Sequence, residues 1–374
     1  MRPTPINRVF PVLGGIALVA VFTLPLLTHA PNRLLSGRAL GIEVFPPVAA
    51  ALVVSGLLGV ILAAVVPRVA LVGALITSTA YIWGSGDCAA TLAAQHPATA
   101  RTAFGSGGWL LLACAWLTVA EAGRRVPLIT ALLAVAPPVV LIAGGWLDEL
   151  SLLKEWVAKR DLFSDALLRH VRIVVTAFVP TVLLGLPLGV LAQRNEGVRA
   201  PLLTALGLIQ TIPSIALFGL LIDPLSRLAA AAPWVAELGI RGVGMAPAVI
   251  ALTLYSLLPV VRNTAEGLAG VPAAAVDAAL GMGMTRGQIF RNVEMPLALP
   301  VVVSGLRITL VQAVGLAAVA SLIGAGGLGA LMFQGLFANA GDLILLGAVP
   351  ILMLAVAVDT VFRLIVRLLQ RRVA

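Results

Sequence analysis

The residue types that carry out covalent chemistry are sparse and scattered in this chain. The three histidines, His29, His96 and His170, stand far apart in the sequence, which argues against a histidine-based metal site. Cys88 is assigned to a loop and Cys114 to a membrane span, so no disulfide is expected. No Ser/His/Asp arrangement, carboxylate pair or GxxxxGK[ST] phosphate loop stands out. The sequence therefore predicts no catalytic residue, no metal and no cofactor.

Polar side chains do occur inside one strongly apolar segment, IQTIPSIALFGLLIDPL at 209–225. Gln210, Thr211 and Ser214 flank Pro213, which lacks a backbone N–H and can kink a helix. Polar groups inside a membrane usually face the bundle interior or a water-filled path. Two interpretations stay open for these four residues: they line a translocation pathway, or they only form hydrogen bonds between helices.

The most polar segment late in the chain is VDAALGMGMTRGQIFRNVEMPLALP at 276–300, which lies between two apolar runs. Pro272 suits the first position of a helix, and an alanine-rich helix is expected over 273–280. Its small side chains offer a flat face of low conformational entropy, which favours close approach by another surface over catalysis.

The next residues predict a turn and a second short helix. Gly281 and Gly283 are expected to break the first helix. Thr285 stands three residues before Gln288, which is the capping-box pattern of a helix start. The second helix is then expected to end where Pro296 follows.

The composition of the chain indicates that membrane-spanning helices position these residues. Charged residues make up 11% of the 374-residue chain and hydrophobic residues 60%, with a mean hydropathy of +1.07. A soluble domain carries roughly 25% charged residues, so we predict an all-α polytopic membrane protein whose spans each need about 20 apolar residues. About ten spans are predicted, near 10–30, 44–66, 69–84, 108–121, 127–146, 171–192, 202–222, 244–261, 298–322 and 343–367.

The chain is expected to have two membrane regions. Residues 1–147 hold five spans, beginning with an uncleaved first helix, and residues 171–374 hold five more. Between them, 148–170 has apolar residues at helical spacing, which fits an amphipathic interfacial helix or a solvated loop helix. The bias of basic residues in the short connections places both termini and the loop 262–297 in the cytoplasm. The net charge of +9 is attributed to this bias and not to nucleic-acid binding.

The polar segment resembles a cytoplasmic motif of permease subunits in ATP-binding-cassette (ABC) importers. That motif is Glu-Ala-Ala, three residues, Gly, nine residues, then Ile, any residue, Leu-Pro. The same spacing is kept here, with Asp for Glu, Val for Ile and Met for Leu. In such permeases the loop is a coupling helix that docks in a groove of the ATPase subunit. The resemblance gives that role to Asp277, Ala278, Ala279, Gly281, Gly283, Val293 and Pro296.

Three stretches narrow the resemblance to importers of glycine betaine, choline and proline betaine. They are PLGVLAQR at 187–194, the segment 209–225, and SLIGAGGLGALMFQGL at 321–336. The resemblance covers about 171–350 and implies a five-helix type I (MetI-like) permease core. The five N-terminal spans match only a longer variety of this permease, thought to pair with a shorter second permease.

The resemblance implies a protein of the bacterial cytoplasmic membrane. Its expected partners are an ABC ATPase subunit, an extracytoplasmic solute-binding protein, a second permease subunit (identical or different) and membrane lipid. Aromatic residues are only 5% of the chain, so selectivity for a quaternary ammonium is expected to lie in the external protein. The alternatives are the same architecture for an amino acid or an oxyanion, or a secondary transporter without an ATPase.

Two further features are expected to support the core. Gly324, Gly326, Gly327 and Gly329 let a loop or helix end pack tightly on the outer side, where they either contact the binding protein or close the bundle. Arg307 lies within a span, where it snorkels to the surface or pairs with an acidic group such as Asp359.

Overall fold

The computed structural model describes residues 7–373 except 33, 34, 36, 64, 65, 98, 125 and 238. The all-α class is confirmed for the membrane-spanning elements. The chain divides into two compact units, one of Met1–Ala158 with Ala338–Asp342, the other of Lys159–Phe337 with Leu343–Ala374.

In its described residues, the first unit contains six α-helices, one short 3-10 helix and one small sheet. Helices α2, α3 and α5 each carry a proline at one of their first two positions, where the missing N–H costs no hydrogen bond. Tyr81 is fully buried and its hydroxyl donates to the Leu26 carbonyl at 2.8 Å. The helices are α1 Val9–Thr23, α2 Pro47–Leu62, α3 Pro67–Gln95, α4 Ser106–Ala122, α5 Pro127–Ala143 and α6 Ser151–Ala158.

The sheet was not predicted from the sequence. Strands β1 Leu27–Ala30, β2 Arg38–Leu40 and β3 Arg101–Phe104 form an antiparallel sheet in the order β2-β1-β3. They lie in the connections between helices, and each has only three or four residues. Strands this short show too little alternation to be recognised in a sequence.

The second unit holds the elements that carry the predicted site. They are α7 Arg160–Arg194, α8 Glu196–Thr211, α9 Ser214–Ala231, α10 Pro233–Glu237, α11 Met245–Ala269, α12 Ala273–Gly281, α13 Arg286–Ile289, α14 Met295–Val319, α15 Leu328–Phe337 and α16 Gly341–Val373. Helix α11 lies at the centre and packs on both α7 and α14.

Small residues allow α7 and α11 to approach closely. A Cβ at Gly189 would lie 2.5 Å from the Thr264 Cβ, and one at Gly185 would lie 2.7 Å from a methyl of Val260. The Thr253 hydroxyl also donates across the contact to the Ala177 carbonyl at 3.2 Å. Close packing of small residues with occasional hydrogen bonds is how helices associate in lipid, where burial of apolar surface provides no net drive.

About ten spans were expected, and fewer helices qualify as spans when helix length is used as a criterion. Among the described residues, six helices are long and apolar enough to cross a membrane: α3, α7, α9, α11, the continuous run Arg286–Ile323, and α16. Helices α1, α2, α4, α5 and α15 are apolar but shorter.

Two predicted boundaries were wrong. The predicted span 202–222 is two helices, because α8 ends at Thr211 and α9 begins at Ser214. Cys88 lies inside α3 and not in a loop, since that helix continues to Gln95. Segment 148–170 is divided between α6 and the first turns of α7.

Candidate functional site

The predicted cytoplasmic segment begins with helix α12. Pro272 is the residue before its first turn and not within it, with ψ of 127°. At the other end, the Met284 N–H donates to the Ala279 carbonyl at 3.1 Å and the Gly283 N–H donates to the Leu280 carbonyl at 2.9 Å. This pair of bonds is the Schellman motif, which needs a left-handed residue after the helix. Gly283 supplies it with φ of +79°.

Part of the predicted docking face of helix α12 is exposed at the protein surface. Asp277, Ala278 and Gly281 are exposed, and so is Gly283 beyond the helix end. Ala279 differs, since it is only 1% exposed and its side chain therefore packs against this chain. The exposed face accordingly lacks one of the two alanines in the motif.

The second half of the segment starts as predicted. The Thr285 side chain accepts from the Gln288 N–H, and the Gln288 side chain accepts from the Thr285 N–H at 2.8 Å, which completes a capping box. The prediction that this helix ends before Pro296 was wrong. Phe290–Glu294 is a π-helical turn, and α14 continues directly from it with Pro296 in its first two positions. At a helix start a proline costs no hydrogen bond, so the run is uninterrupted.

The π-helical turn also contacts the end of α7. The Arg194 guanidinium lies 3.7 Å from the Glu294 carboxylate and 4.7 Å from the centre of the Phe290 ring. Val293 and Glu294 are half-buried in this turn, whereas Pro296 is exposed. The end of α7 is thus attached to the segment by a charge pair and a cation–π contact.

The predicted pathway residues surround the α8–α9 break. Gln210 and Thr211 end α8, and Pro213 and Ser214 begin α9. The Gln210 amide donates to the backbone carbonyl of Tyr255 on α11 at 2.6 Å. The Thr211 hydroxyl donates within its own helix, to the Leu208 carbonyl at 2.7 Å. Thr211 and Pro213 are exposed and the other two are half-buried.

The glycine cluster forms a loop between α14 and α15. Gly324, Gly326 and Gly327 all have φ near +80°. The Arg169 side chain of α7 donates to the Ala325 carbonyl at 2.6 Å, which holds the loop. Gly329 is buried in α15, where a Cβ would lie 2.0 Å from the Ala318 carbonyl oxygen.

His170 packs against the same loop and also contacts α14. It is fully buried, and its Nε2 lies 3.1 Å from the Val314 carbonyl of α14. A Cβ at Gly327 would lie 3.2 Å from the His170 ring. Arg169 and His170 therefore hold the glycine loop against α7 and α14.

Arg307 pairs with an acidic side chain, which confirms one of the two options raised for it. Its Nε lies 3.5 Å from Oδ1 of Asp359 on α16, and Arg363 binds the other oxygen of the same carboxylate. Asp359 thus joins α14 to α16 and balances two guanidinium groups.

We expect Asp359→Asn to lower the melting temperature of the detergent-solubilised protein more than Arg307→Met. The first change leaves the partly buried Arg307 and the exposed Arg363 without a counter-charge, at a cost of about 1 kcal/mol. The second leaves Asp359 paired with Arg363 and replaces one cation by an apolar chain. Equal losses from the two variants would contradict the shared-carboxylate arrangement.

Sequence reasoning missed Tyr255, Arg169, His170 and Arg194. One signal was present for Tyr255, because Pro259 stands four residues later and must leave the Tyr255 carbonyl without its helical donor. The other three gave no signal, since their partners are distant in sequence. Within the described part of the chain, no group of three or more His, Cys, Asp or Glu side chains is placed to hold a metal ion.

Comparison with known proteins assigns a family to this arrangement. Residues 182–374 match the family described as "Binding-protein-dependent transport system inner membrane component", over more than half of the chain. The chain belongs to this family of ABC importer permeases. Residues 7–153 match a second family, the N-terminal domain of the ABC transporter permease YehY.

Curated relatives align with about half of the chain. The osmoprotectant import permease protein OsmW of Salmonella typhimurium is 42% identical over 191 residues, which cover 51% of this chain and 84% of that protein. The carnitine transport permease protein OpuCB of Listeria monocytogenes is 37% identical, with 51% and 80% covered. The choline transport system permease protein OpuBB of Bacillus subtilis is 37% identical, with 51% and 81% covered.

A solved structure supports the predicted core. An inward-facing form of the MetNI methionine ABC transporter aligns with a TM-score of 0.50 and 25% identity, covering 57% of this chain and 98% of that one. The type I permease fold and the ABC permease function expected from the sequence are therefore confirmed. The family implies an ATPase and a substrate-binding protein as partners, with the permease itself typically non-catalytic, and places the chain in the bacterial inner membrane.

Proposed function

We propose that this chain is the transmembrane subunit of an ATP-driven importer for glycine betaine or a related quaternary-ammonium compatible solute. One observation carries the proposal: relatives named for osmoprotectants, carnitine and choline are 37–42% identical over about half of the chain. The family match over 182–374 includes α12 and the α8–α9 break, so it covers the coupling segment and the candidate pathway together.

In this proposal α12 receives the movement of the ATPase. Asp277, Ala278, Gly281 and Gly283 form the exposed docking face. Ala279 and Val293 support the segment from the protein side, and the exposed Pro296 begins the helix that follows it. ATP hydrolysis in the partner displaces α12 and switches the pathway beside Gln210 and Ser214 from outward- to inward-facing.

The proposed organisation keeps the regions expected from the sequence. Residues 1–147 are an additional membrane region, 148–170 an interfacial segment and 171–374 the permease core. Both termini and loop 262–297 lie in the cytoplasm, and a second permease subunit completes the pathway. The glycine loop at 324–329 then lies on the outer side, where its exposed part is available to a solute-binding protein.

Reconstitution tests the substrate. The chain is co-expressed with its neighbouring ATPase, binding protein and second permease, and the purified complex is placed in vesicles containing ATP. We expect uptake of radiolabelled glycine betaine, choline or carnitine that requires ATP and the binding protein. Methionine and sulfate serve as the competing amino acid and oxyanion, and neither should reduce that uptake.

Two outcomes would contradict the proposal. Uptake of methionine or sulfate with no uptake of the three quaternary ammonium compounds would show that the substrate assignment is wrong, while the assignment as an ABC importer permease would stand. Uptake by this chain alone, driven by an ion gradient and without any co-purified ATPase, would favour a secondary transporter.

A further inference from the structure

The strongest unexplained feature of the second unit is a reciprocal pair of hydrogen bonds between α11 and the α8–α9 break. The Gln210 amide donates to the Tyr255 carbonyl at 2.6 Å. The Tyr255 hydroxyl donates in return to the carbonyl of Ile212, inside the break. Tyr255 is only 4% exposed, and its partners Gln210 and Ile212 are half-buried.

Both acceptors are backbone carbonyls that their own helices leave unpaired. The Tyr255 carbonyl would normally bind the N–H of residue 259, but that residue is Pro259, which has none. The Ile212 carbonyl has left the helix, since this residue is extended with ψ of 127° after the end of α8. Pro259 removes the N–H that the Tyr255 carbonyl would bind, and Pro213 disfavours a helical conformation at Ile212 before it. In each case a side chain of the opposite element donates to the carbonyl left unpaired.

The same helix leads directly to the docking face. Helix α11 ends at Ala269, and α12 begins at Ala273 after a turn of three residues. Tyr255 lies fourteen residues before the end of α11, about 20 Å along a straight helix. A displacement of α12 therefore reaches Tyr255 through one continuous, largely buried helix.

We propose that Gln210 and Tyr255 are positioning residues that fasten the α8–α9 break to α11, so that movement of the coupling segment is transmitted to the pathway. This rests on the proposed function of α12. The two bonds attach a broken helix, which is free to change its angle at Pro213, to an element that moves with the ATPase. Without them α12 still moves, but the break does not follow.

A double-mutant cycle between Gln210 and Pro259 tests the first bond. Gln210→Leu leaves the Tyr255 carbonyl unpaired, whereas Pro259→Ala restores the N–H that this carbonyl lacks. We expect Gln210→Leu to lower the substrate moved per ATP hydrolysed by roughly tenfold, which corresponds to about 1.4 kcal/mol. In the Pro259→Ala background the same change should have a much smaller effect.

The second bond is tested by Tyr255→Phe, which removes only the hydroxyl. We expect ATP hydrolysis to continue while substrate uptake falls, as for Gln210→Leu. Thr360→Val is the matched control, because the Thr360 hydroxyl donates only within α16, to the Val356 carbonyl at 2.7 Å. That variant should keep the wild-type ratio of uptake to hydrolysis.

A measurement that needs no substrate separates this inference from the proposed function. Ile215 is 61% exposed in the first turn of α9, and an Ile215→Cys substitution can be labelled with a thiol reagent, whereas Cys88 and Cys114 are buried. We expect ATP to change the labelling rate at this position when Gln210 and Tyr255 are intact, and not in Gln210→Leu or Tyr255→Phe.

The outcomes divide as follows. Failure of the complex to import any quaternary ammonium compound, with ATP-dependent labelling that still requires Gln210 and Tyr255, counts against the proposed substrate alone. Equal losses from Gln210→Leu with Pro259 and with alanine at that position would overturn this inference. So would a parallel fall of hydrolysis and uptake in both variants, because that pattern indicates a merely structural role.

Discussion

Replacing Gly283 by aspartate is expected to abolish transport while the subunit still folds and enters the membrane. Gly283 has φ of +79°, and among the described residues no heavy atom lies within 4 Å of a Cβ placed there. Aspartate tolerates the left-handed conformation better than most residues, so the strain within the subunit is about 1 kcal/mol. The larger effect is expected at the proposed docking face, where a carboxylate buried without a partner costs about 2–5 kcal/mol.

The measurement is ATPase retention on an affinity-tagged permease together with uptake in vesicles. Gly283→Asn is the matched variant, since asparagine has the same shape, tolerates the same backbone and carries no charge. We expect an intermediate loss for asparagine and a loss of more than tenfold for aspartate. Full transport and normal ATPase binding by Gly283→Asp would show that this segment is not the coupling element.

The motif, the turn at Gly283 and the capping box were predictable because each depends on local chemistry. Gly283 stands where a Schellman turn requires a left-handed residue. Thr285 and Gln288 satisfy each other three residues apart. For Arg307 within an apolar span, pairing with Asp359 was one of two options, and the structure shows that pair.

The roles of the prolines could not be predicted from the sequence in the same way. A proline ends, kinks or begins a helix according to where the neighbouring helices leave room and donors. Pro213 separates two helices, whereas Pro296 lies at the start of one and interrupts nothing. Pro259 stays inside α11 because Gln210, 49 residues earlier in the chain, pairs with the carbonyl it leaves free.

The roles of the glycines in the candidate outer loop also could not be predicted from the sequence. Four glycines in GAGGLG look equivalent in the sequence, and two interpretations of them stayed open. The structure gives them different surroundings: Gly324 is exposed, whereas Gly329 is buried against the Ala318 carbonyl. We therefore propose a contact with a solute-binding protein only for the exposed end of the loop, whereas the buried end packs within the bundle.

Substituting alanine for Gly329 is accordingly expected to prevent the accumulation of folded protein. The added Cβ would lie 2.0 Å from the Ala318 carbonyl oxygen, a backbone atom that has no rotamer with which to move away. Overpacking a core by one or two methylenes already costs about 1–3 kcal/mol, and separating α15 from the end of α14 also disturbs Gly347, where a Cβ would meet the Leu328 carbonyl oxygen at 2.7 Å.

The measurement is the monodisperse fraction of the protein after detergent extraction, and two matched variants serve as controls for Gly329→Ala. Gly315→Ala adds the same atom to α14 where no described atom lies within 4 Å, and it should extract like the wild type. Gly324→Asn keeps the left-handed backbone at the exposed end, so it should fold normally and lose uptake only if the binding protein docks there. Normal folding of Gly329→Ala would show that α15 is free to shift relative to α14, and the buried end of the loop would then be a moving part of the bundle instead of its fixed closure.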